Sequence, residues 1–220
     1  EAHAIEAAAA AIRASKRPMI VAGGGVIYAD AHAALDKFVT ATGIPVGCAQ
    51  AGMGSLDWDH AQNLGAVGST GTTAANRAAA EADVVIGIGT RYSDFTTASR
   101  TAFQNPNVKF VNINVASFDA AKHGSSIPVV ADARHALEAL SASLGSYSIV
   151  EDYRQSYAAN KAEWDAAVDE SFTDKGLVEP GQAEIIGAVW EASAPEDTVV
   201  CAAGSLPGDL HKLWRVRDDL

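Results

Sequence analysis

Short apolar runs alternating with Ala-rich stretches constrain this chain more than any other feature. The runs are Pro18 to Ala22, Ile44 to Ala49, Asp83 to Ile88, Val108 to Ile113, Pro128 to Ala131 and, much later, Thr198 to Ala202. A run that is apolar at successive positions has no polar face to give to water, so as a strand it must be covered on both sides. Crossover helices over a parallel sheet provide that cover. The intervening stretches, Ala31 to Thr42, Thr72 to Ala82 and Ala133 to Leu144, read as those helices. Three runs end at glycine, in Ala22-Gly23, Ile88-Gly89 and Ala203-Gly204. Glycine lets the chain turn sharply at the carboxyl edge of a sheet, the edge where doubly wound folds place their ligands.

The pattern changes after Leu144. Val150 to Phe172 carries Tyr153, Tyr157, Trp164 and Val168 at near-helical spacing and reads as one long amphipathic helix, with Thr173-Asp174-Lys175-Gly176 as a break. Glu179-Pro180-Gly181-Gln182 then opens a helix over Ala183 to Ala192, with Pro180 in its first turn, before the run at Thr198. The expected organisation is a first domain over 1–146, a helical linker over 147–178 and the start of a second domain over 179–220. Ala4 to Ala14, with Glu6 and Arg13, reads as a helix and not as a signal peptide. The chain opens on Glu1 and stops in Trp214-Arg215-Val216-Arg217-Asp218-Asp219-Leu220 without a structural ending, the expectation for a piece of a longer protein.

Composition narrows the partners. The 220 residues are 48% hydrophobic, enough for a buried core, and 16 basic against 27 acidic residues leave a net charge of -11. Nucleic acids and anionic membranes need clustered Lys and Arg, so neither is an expected partner. An apolar stretch such as Asp83 to Gly89 falls far short of the roughly 20 residues of a membrane span. Cys48 and Cys201 sit inside apolar runs, where cysteine behaves as a small buried hydrophobe, and a reducing cytoplasm fits that usage.

Several motifs invite chemistry. Val21-Ala22-Gly23-Gly24-Gly25-Val26-Ile27-Tyr28 begins like a dinucleotide-binding turn, yet Tyr28 stands at the third glycine position and the second strand ends in Gly47-Cys48-Ala49-Gln50 without an acid. Asp30, where the next helix should start, would cap the backbone donors a pyrophosphate needs, so a plain sharp turn is the better reading. Gly65 to Thr73 brings glycines and hydroxyls to a helix start without an acid, which suits either an anion or cofactor contact or an ordinary Ser/Thr cap. Gly68-Ser69 and Gly204-Ser205 both lack the glycine two before the serine that a hydrolase elbow requires. Asp57-Trp58-Asp59-His60 reads as a solvated loop, and His3, His32, His123, His135 and His211 show no metal-ligand spacing. Neither a catalytic nor a metal-ligand set emerges, so the residues alone say α/β ligand-binding or structural domain.

The order of the pieces is more specific than any one of them. Lys16 to Gly25, Gly43-Ile44-Pro45-Val46, Gly52-Met53-Gly54, Gly65 to Gly71 and Ala82 to Arg91 together resemble the central domain of the thiamine diphosphate-dependent enzymes, the acetolactate synthase and pyruvate oxidase superfamily. The run Val199 to Arg215, with Gly204-Ser205-Leu206-Pro207-Gly208-Asp209-Leu210-His211-Lys212-Leu213-Trp214, is similar to the members that hydrolytically open a cyclic diketone ring in myo-inositol catabolism. The resemblance covers the whole chain and implies a Rossmann-like, doubly wound parallel sheet of about six strands. It also implies a full-length, cytoplasmic, homo-oligomeric parent, dimer or tetramer, that uses thiamine diphosphate and Mg²⁺ on a small cyclic diketone. Gly204, Ser205 and Leu206 fall where the family's chain approaches the cofactor diphosphate. The family's Mg²⁺-binding Gly-Asp-Gly motif and its activating glutamate domain have no counterpart here, which implies a noncatalytic piece with no cofactor of its own. Some relatives hold FAD on the central domain, at positions matching Gly24, Gly68 and Arg91, so a nucleotide-binding module for FAD, ADP or NAD is the alternative. The family's fourth strand ends in paired aspartates, whereas this one reads Asn112-Ile113-Asn114-Val115.

Overall fold

The computed structural model describes residues 2–122, 124–173, 176, 178–202 and 204–217. The sheet and the helices around it are built from α1 (Ala2–Ala14), β1 (Pro18–Ala22), α2 (Gly24–Tyr28), α3 (His32–Thr42), β2 (Val46–Cys48), β3 (Asn63–Ala66), α4 (Thr73–Glu81), β4 (Val84–Ile88), α5 (Asp94–Thr97), β5 (Lys109–Asn114), α6 (Ser117–Ala120), β6 (Ile127–Val130) and α7 (Ala133–Leu144). Three further helices follow, α8 (Glu151–Phe172), α9 (Gln182–Ala192) and α10 (Ser205–Leu213).

The six strands form one sheet in the order β3-β2-β1-β4-β5-β6, every pair parallel. This is the doubly wound arrangement, with the chain reversing direction of travel between β1 and β4. The two central strands, Pro18-Met19-Ile20-Val21-Ala22 and Val84-Val85-Ile86-Gly87-Ile88, are buried at every position. Covering a Val, Leu or Ile side chain contributes about 1.5–3 kcal/mol each, so these strands anchor the fold. Leu35, Phe38 and Val39 of α3 and Leu137 and Leu140 of α7 pack against them from the helix layers.

The structure departs from the sequence expectations at four places. Asn63–Ala66 is a strand, hidden because only Leu64 is bulky, and it forms because β2 offers it a partner edge. Conversely, Thr198 to Ala202 is not a strand: it lies exposed, with Val200 87% accessible, and among the described residues no neighbouring strand takes up its backbone groups. β-propensity needs a pairing partner to be realised. Cys201 is accordingly exposed, not buried. Pro180 precedes the helix it was expected to start; Gly181 is the N-cap of α9, and its N–H donates to the Glu184 carboxylate. Asp174, Lys175 and Ala203, which fall in the expected break and glycine turn, and His123 lie outside the described residues.

Asp83 ties the amino edge of the sheet together. Its carboxylate accepts from the Ser15 hydroxyl and from the amides of Lys16 (2.8 Å) and Arg17 (3.0 Å). Burial pushes this carboxyl up, but those donors outweigh it and hold it below its ordinary value. On the same edge, α8 is fastened by tyrosines: Tyr153 Oη donates to the Pro18 carbonyl (3.2 Å) and Tyr157 Oη to that of Gly43 (2.9 Å). The far end of α8 gathers Val168, Ile186 and Leu213 into a second cluster, joined to the main core through Trp164.

The chain after α10 returns to the segment between β2 and β3. The Arg215 guanidinium stands 4.4 Å from the Trp58 ring, within 5.7 Å of Phe172 and 5.8 Å of Trp190, and pairs with Asp169 at 2.7 Å. Trp58 N–H donates to the Val216 carbonyl (3.2 Å). The Asp57–His60 segment is therefore not a free solvated loop but part of the seat for the returning chain, because an indole face attracts a partly desolvated cation.

At the carboxyl edge the turns after β1 and β4 touch backbone to backbone. A Cβ on Gly25 would stand 2.5 Å from Gly89 Cα, with no flexible side chain able to move aside. Gly25→Ala is expected to lower stability by about 1–3 kcal/mol. A urea titration should show a lower midpoint at unchanged slope.

Candidate functional site

The reversal between β1 and β4 opens a groove of about 1050 Å³ at the carboxyl ends of the central strands. Its floor is the pair of glycine turns: Gly23 N–H donates to the Ile88 carbonyl (2.8 Å) and Gly25 N–H to that of Gly89 (3.1 Å). Gly23 to Gly25 do not make a simple turn, since Gly24 already starts the short helix α2. Asp30 does not cap the next helix either; it adopts a left-handed backbone (φ 49°) and Ala31 is the N-cap of α3. Tyr28 and Phe95 stand exposed at the groove's rim.

Of the three positions that the resemblance pointed to for a nucleotide, Gly24 and Arg91 line this groove together, and Gly68 does not. Gly68 is engaged elsewhere. Its N–H donates to Asn76 Oδ1 (2.8 Å) and its carbonyl accepts from Asn76 Nδ2 (2.9 Å), while the Ser69 amide donates to the Phe95 carbonyl (2.8 Å). Thr72 caps α4 by accepting from the Ala75 amide (2.9 Å). The loop's glycines thus serve its own hydrogen bonds, a pairing that side-chain spacing alone did not reveal.

At the end of β5, Asn114 is buried and spends both side-chain groups on the protein: Nδ2 donates to the Thr90 carbonyl (3.3 Å) and Oδ1 accepts from the Ala116 amide (3.0 Å). Asn112 Nδ2 likewise donates to the Lys122 carbonyl (3.3 Å). Asp132, across the groove, caps α7 through the Arg134 and His135 amides (3.0 and 3.2 Å). Asn114 is therefore fully committed, whereas Asn112 keeps an unpartnered Oδ1 and Asp132 uses one carboxylate oxygen for both capping bonds.

A second place of interest is the start of α10. Gly204 has φ 135°, a conformation closed to most side chains, and a Cβ there would have open space around it. Ser205 and Leu206 follow as exposed first-turn residues with no acid among them and no side chain capping them. Free first-turn amides of this kind favour an anion. Beneath the helix a small cavity of about 60 Å³ is lined by Cys48, Trp164, His211 and Trp214 among others. Burial pushes the Cys48 thiol up to about 12, so it stays an unreactive thiol near neutrality. His211 is buried, and that burial, only partly opposed by a hydrogen bond to the Ala49 backbone, pushes its imidazole down to about 4. His211 stands outside any metal-ligand spacing in the sequence. A better signal was its position three residues after Gly208, on the same face of the helix. Among the described residues no group of three or more His, Cys, Asp or Glu could hold a metal ion.

A six-stranded doubly wound sheet with its groove at the strand reversal defines an α/β domain of the nucleotide-fold type. Residues 5–140 match the family of the thiamine pyrophosphate enzyme central domain, and the chain belongs to that family. It is also similar to proteins named 3D-(3,5/4)-trihydroxycyclohexane-1,2-dione hydrolase. The one from Clostridium tetani is 36% identical over 96% of this chain, the one from Halalkalibacterium halodurans 39% over 96%, and the one from Bacillus licheniformis 40% over 96%. In each case the chain spans only 36% of the relative's length. None of the described helices is long and apolar enough to cross a membrane.

Replacing Asn76 by Ala removes the acceptor of the Gly68 amide and one of the two donors to its carbonyl, which keeps the Gly71 amide at 3.0 Å. The expected cost is about 1–3 kcal/mol, with faster amide exchange at Gly68 and Ser69 and little change in β1 or β4.

Proposed function

We propose that this chain is the central, noncatalytic part of a thiamine diphosphate-dependent carbon-carbon hydrolase that opens the ring of a trihydroxycyclohexane-dione. The single observation that carries the reading is the similarity, along 96% of the chain, to hydrolases so named. The domain family supports the cofactor. In this reading residues 147–178 are a helical linker and 179–220 begin the cofactor-binding domain. Ile185, Val189, Val199 and Val200, exposed on that last segment, suit a region that packs further within a longer protein.

The start of α10 fits a diphosphate: a glycine at φ 135°, open space beside it and uncapped first-turn amides. Gly204, Ser205 and Leu206 would hold the phosphate oxygens by backbone donors. When bound, thiamine diphosphate supplies the nucleophilic carbon that attacks a substrate carbonyl. Within the parent, this chain's own part is to orient the diphosphate end once the magnesium site holds it. The magnesium ligands implied by the family, a Gly-Asp-Gly motif with a following asparagine, do not occur in this sequence and belong to the rest of the parent. The parent is a cytoplasmic homo-oligomer in this reading, with Mg²⁺ as its metal.

The groove that holds Gly24 and Arg91 favours a second reading, a nucleotide-binding module for FAD, ADP or NAD. The commitments of Asn114 and Asp132 weigh toward a structural role for the domain. Calorimetry with the three nucleotides separates the readings, and micromolar binding of any of them favours the second.

Two outcomes test the first. The 220 residues alone should neither turn over the cyclic diketone nor bind thiamine diphosphate; turnover by the isolated chain would refute the proposal. In the full-length parent, Gly204→Ala should weaken thiamine diphosphate binding at least about tenfold, because a Cβ disfavours φ 135° at the diphosphate contact. Unchanged affinity would remove Gly204 from the site.

A further inference from the structure

His211 is a buried histidine that no step of the proposed chemistry uses. Its Nδ1 lies 2.8 Å from the Thr70 hydroxyl, on the loop that leaves β3. Its other ring nitrogen is enclosed, on a ring that the Ala49 backbone, at the carboxyl end of β2, also engages. Gly208, one turn earlier on the same face of α10, lets the helix approach that loop: a Cβ there would stand 3.0 Å from Thr70 Cγ2. Thr70 therefore receives both Gly208 and His211, and the ring bridges the carboxyl ends of two strands of the first domain. Seven residues separate His211 from Gly204, about two helical turns, so whatever fixes His211 fixes the direction in which the open first turn points.

We propose that His211 is a positioning residue that locks α10 onto the first domain through Thr70 and so sets where Gly204, Ser205 and Leu206 present their backbone donors. The inference rests on the reading of those three residues as the diphosphate contact, but the docking itself is independent of any cofactor. The imidazole acts in its neutral form, one nitrogen toward the hydroxyl and the other in a dry environment. Protonation would leave a buried cation, and the charged residues that line the cavity with it are mixed in sign: Lys161 and Asp165 on α8, Lys212 on α10, itself paired with Asp209, and Arg215 beyond. Cys48 on β2 stays a neutral thiol and offers no counter-charge. The docked ring titrates near 4 and a free one near 6.5, so the undocked state binds more protons between those values. Docking is full above about pH 6.5 and weakens by at most about tenfold per pH unit as pH falls toward 4.

The test is amide exchange over Asp209 to Trp214, read by mass spectrometry on the 220-residue chain. Four variants are compared: Thr70→Val and His211→Leu, which remove the bond, and Thr70→Ser and His211→Asn, which keep a partner at the same place. The expected result is exchange at least about tenfold faster in the first two, near-normal exchange in the second two, and unchanged protection in β1 and β4. Between pH 7 and 4.5 the wild type and Thr70→Ser should lose protection in α10, and His211→Asn, which cannot titrate, should show a flat profile. Unchanged α10 exchange in Thr70→Val, or an equal pH profile in His211→Asn, overturns the proposal. In the full-length parent, Thr70→Val should weaken thiamine diphosphate binding about tenfold. Loosened exchange with unchanged affinity would refute the positioning role while leaving the Gly204 result to judge the cofactor reading separately.

Discussion

Everything at the carboxyl edge depends on two glycine turns that touch backbone to backbone. Gly23 and Gly25 after β1 meet Gly89 after β4 closely enough that the Gly25 amide donates to the Gly89 carbonyl at 3.1 Å. The contact closes the central pair of strands, whose register runs from Pro18 opposite Val84 to Ala22 opposite Ile88. It also leaves the groove with a floor made of main chain. Any selectivity of that groove must come from side chains of its walls, Arg91, Asn114 and Asp132 among them, and of these Asn114 and Asp132 already serve the fold.

The remainder of the chain is organised around a different kind of contact. α8 is attached at the amino edge by tyrosine hydroxyls reaching backbone carbonyls, which gives direction without charge. Beyond it, Arg215 sits among three aromatic faces with Asp169 as its ion partner, and Arg217 lies 4.6 Å over Trp190. Guanidinium stacking of this type is worth roughly 0.5–2 kcal/mol per well-shielded contact, so several together hold a terminal segment that has little core of its own. Among the described residues, Val168, Ile186 and Leu213 form that segment's buried cluster. The consequence is geometric: α10 and its glycine start are carried on the loop that leaves β3.

The central strands were readable because apolar residues on both faces allow few alternatives, and β1, β4 and β5 fall within a residue of their expected limits. β3 was unreadable for the complementary reason. Asn63-Leu64-Gly65-Ala66 has one large side chain, and its extended form comes from pairing with β2. Thr198 to Ala202 shows the converse, a strong strand composition with no strand to join. At the candidate sites the glycines stood out in the sequence, whereas their circumstances did not. Gly24 and Arg91 share a groove, but Gly68 is held by Asn76, a residue eight positions away with no motif to mark it.

By itself the sequence determined the class of fold, the parallel arrangement, the long eighth helix and the kinship with thiamine-dependent enzymes, because hydrophobic pattern and motif order are local or serial properties. Tertiary structure alone decided which glycines meet, that Asp30 caps nothing, that Trp58 receives Arg215, and that His211 faces Thr70 across 141 positions of chain. Those are pairings between distant residues, and their identity depends on how the layers close over the sheet, which no window of sequence contains.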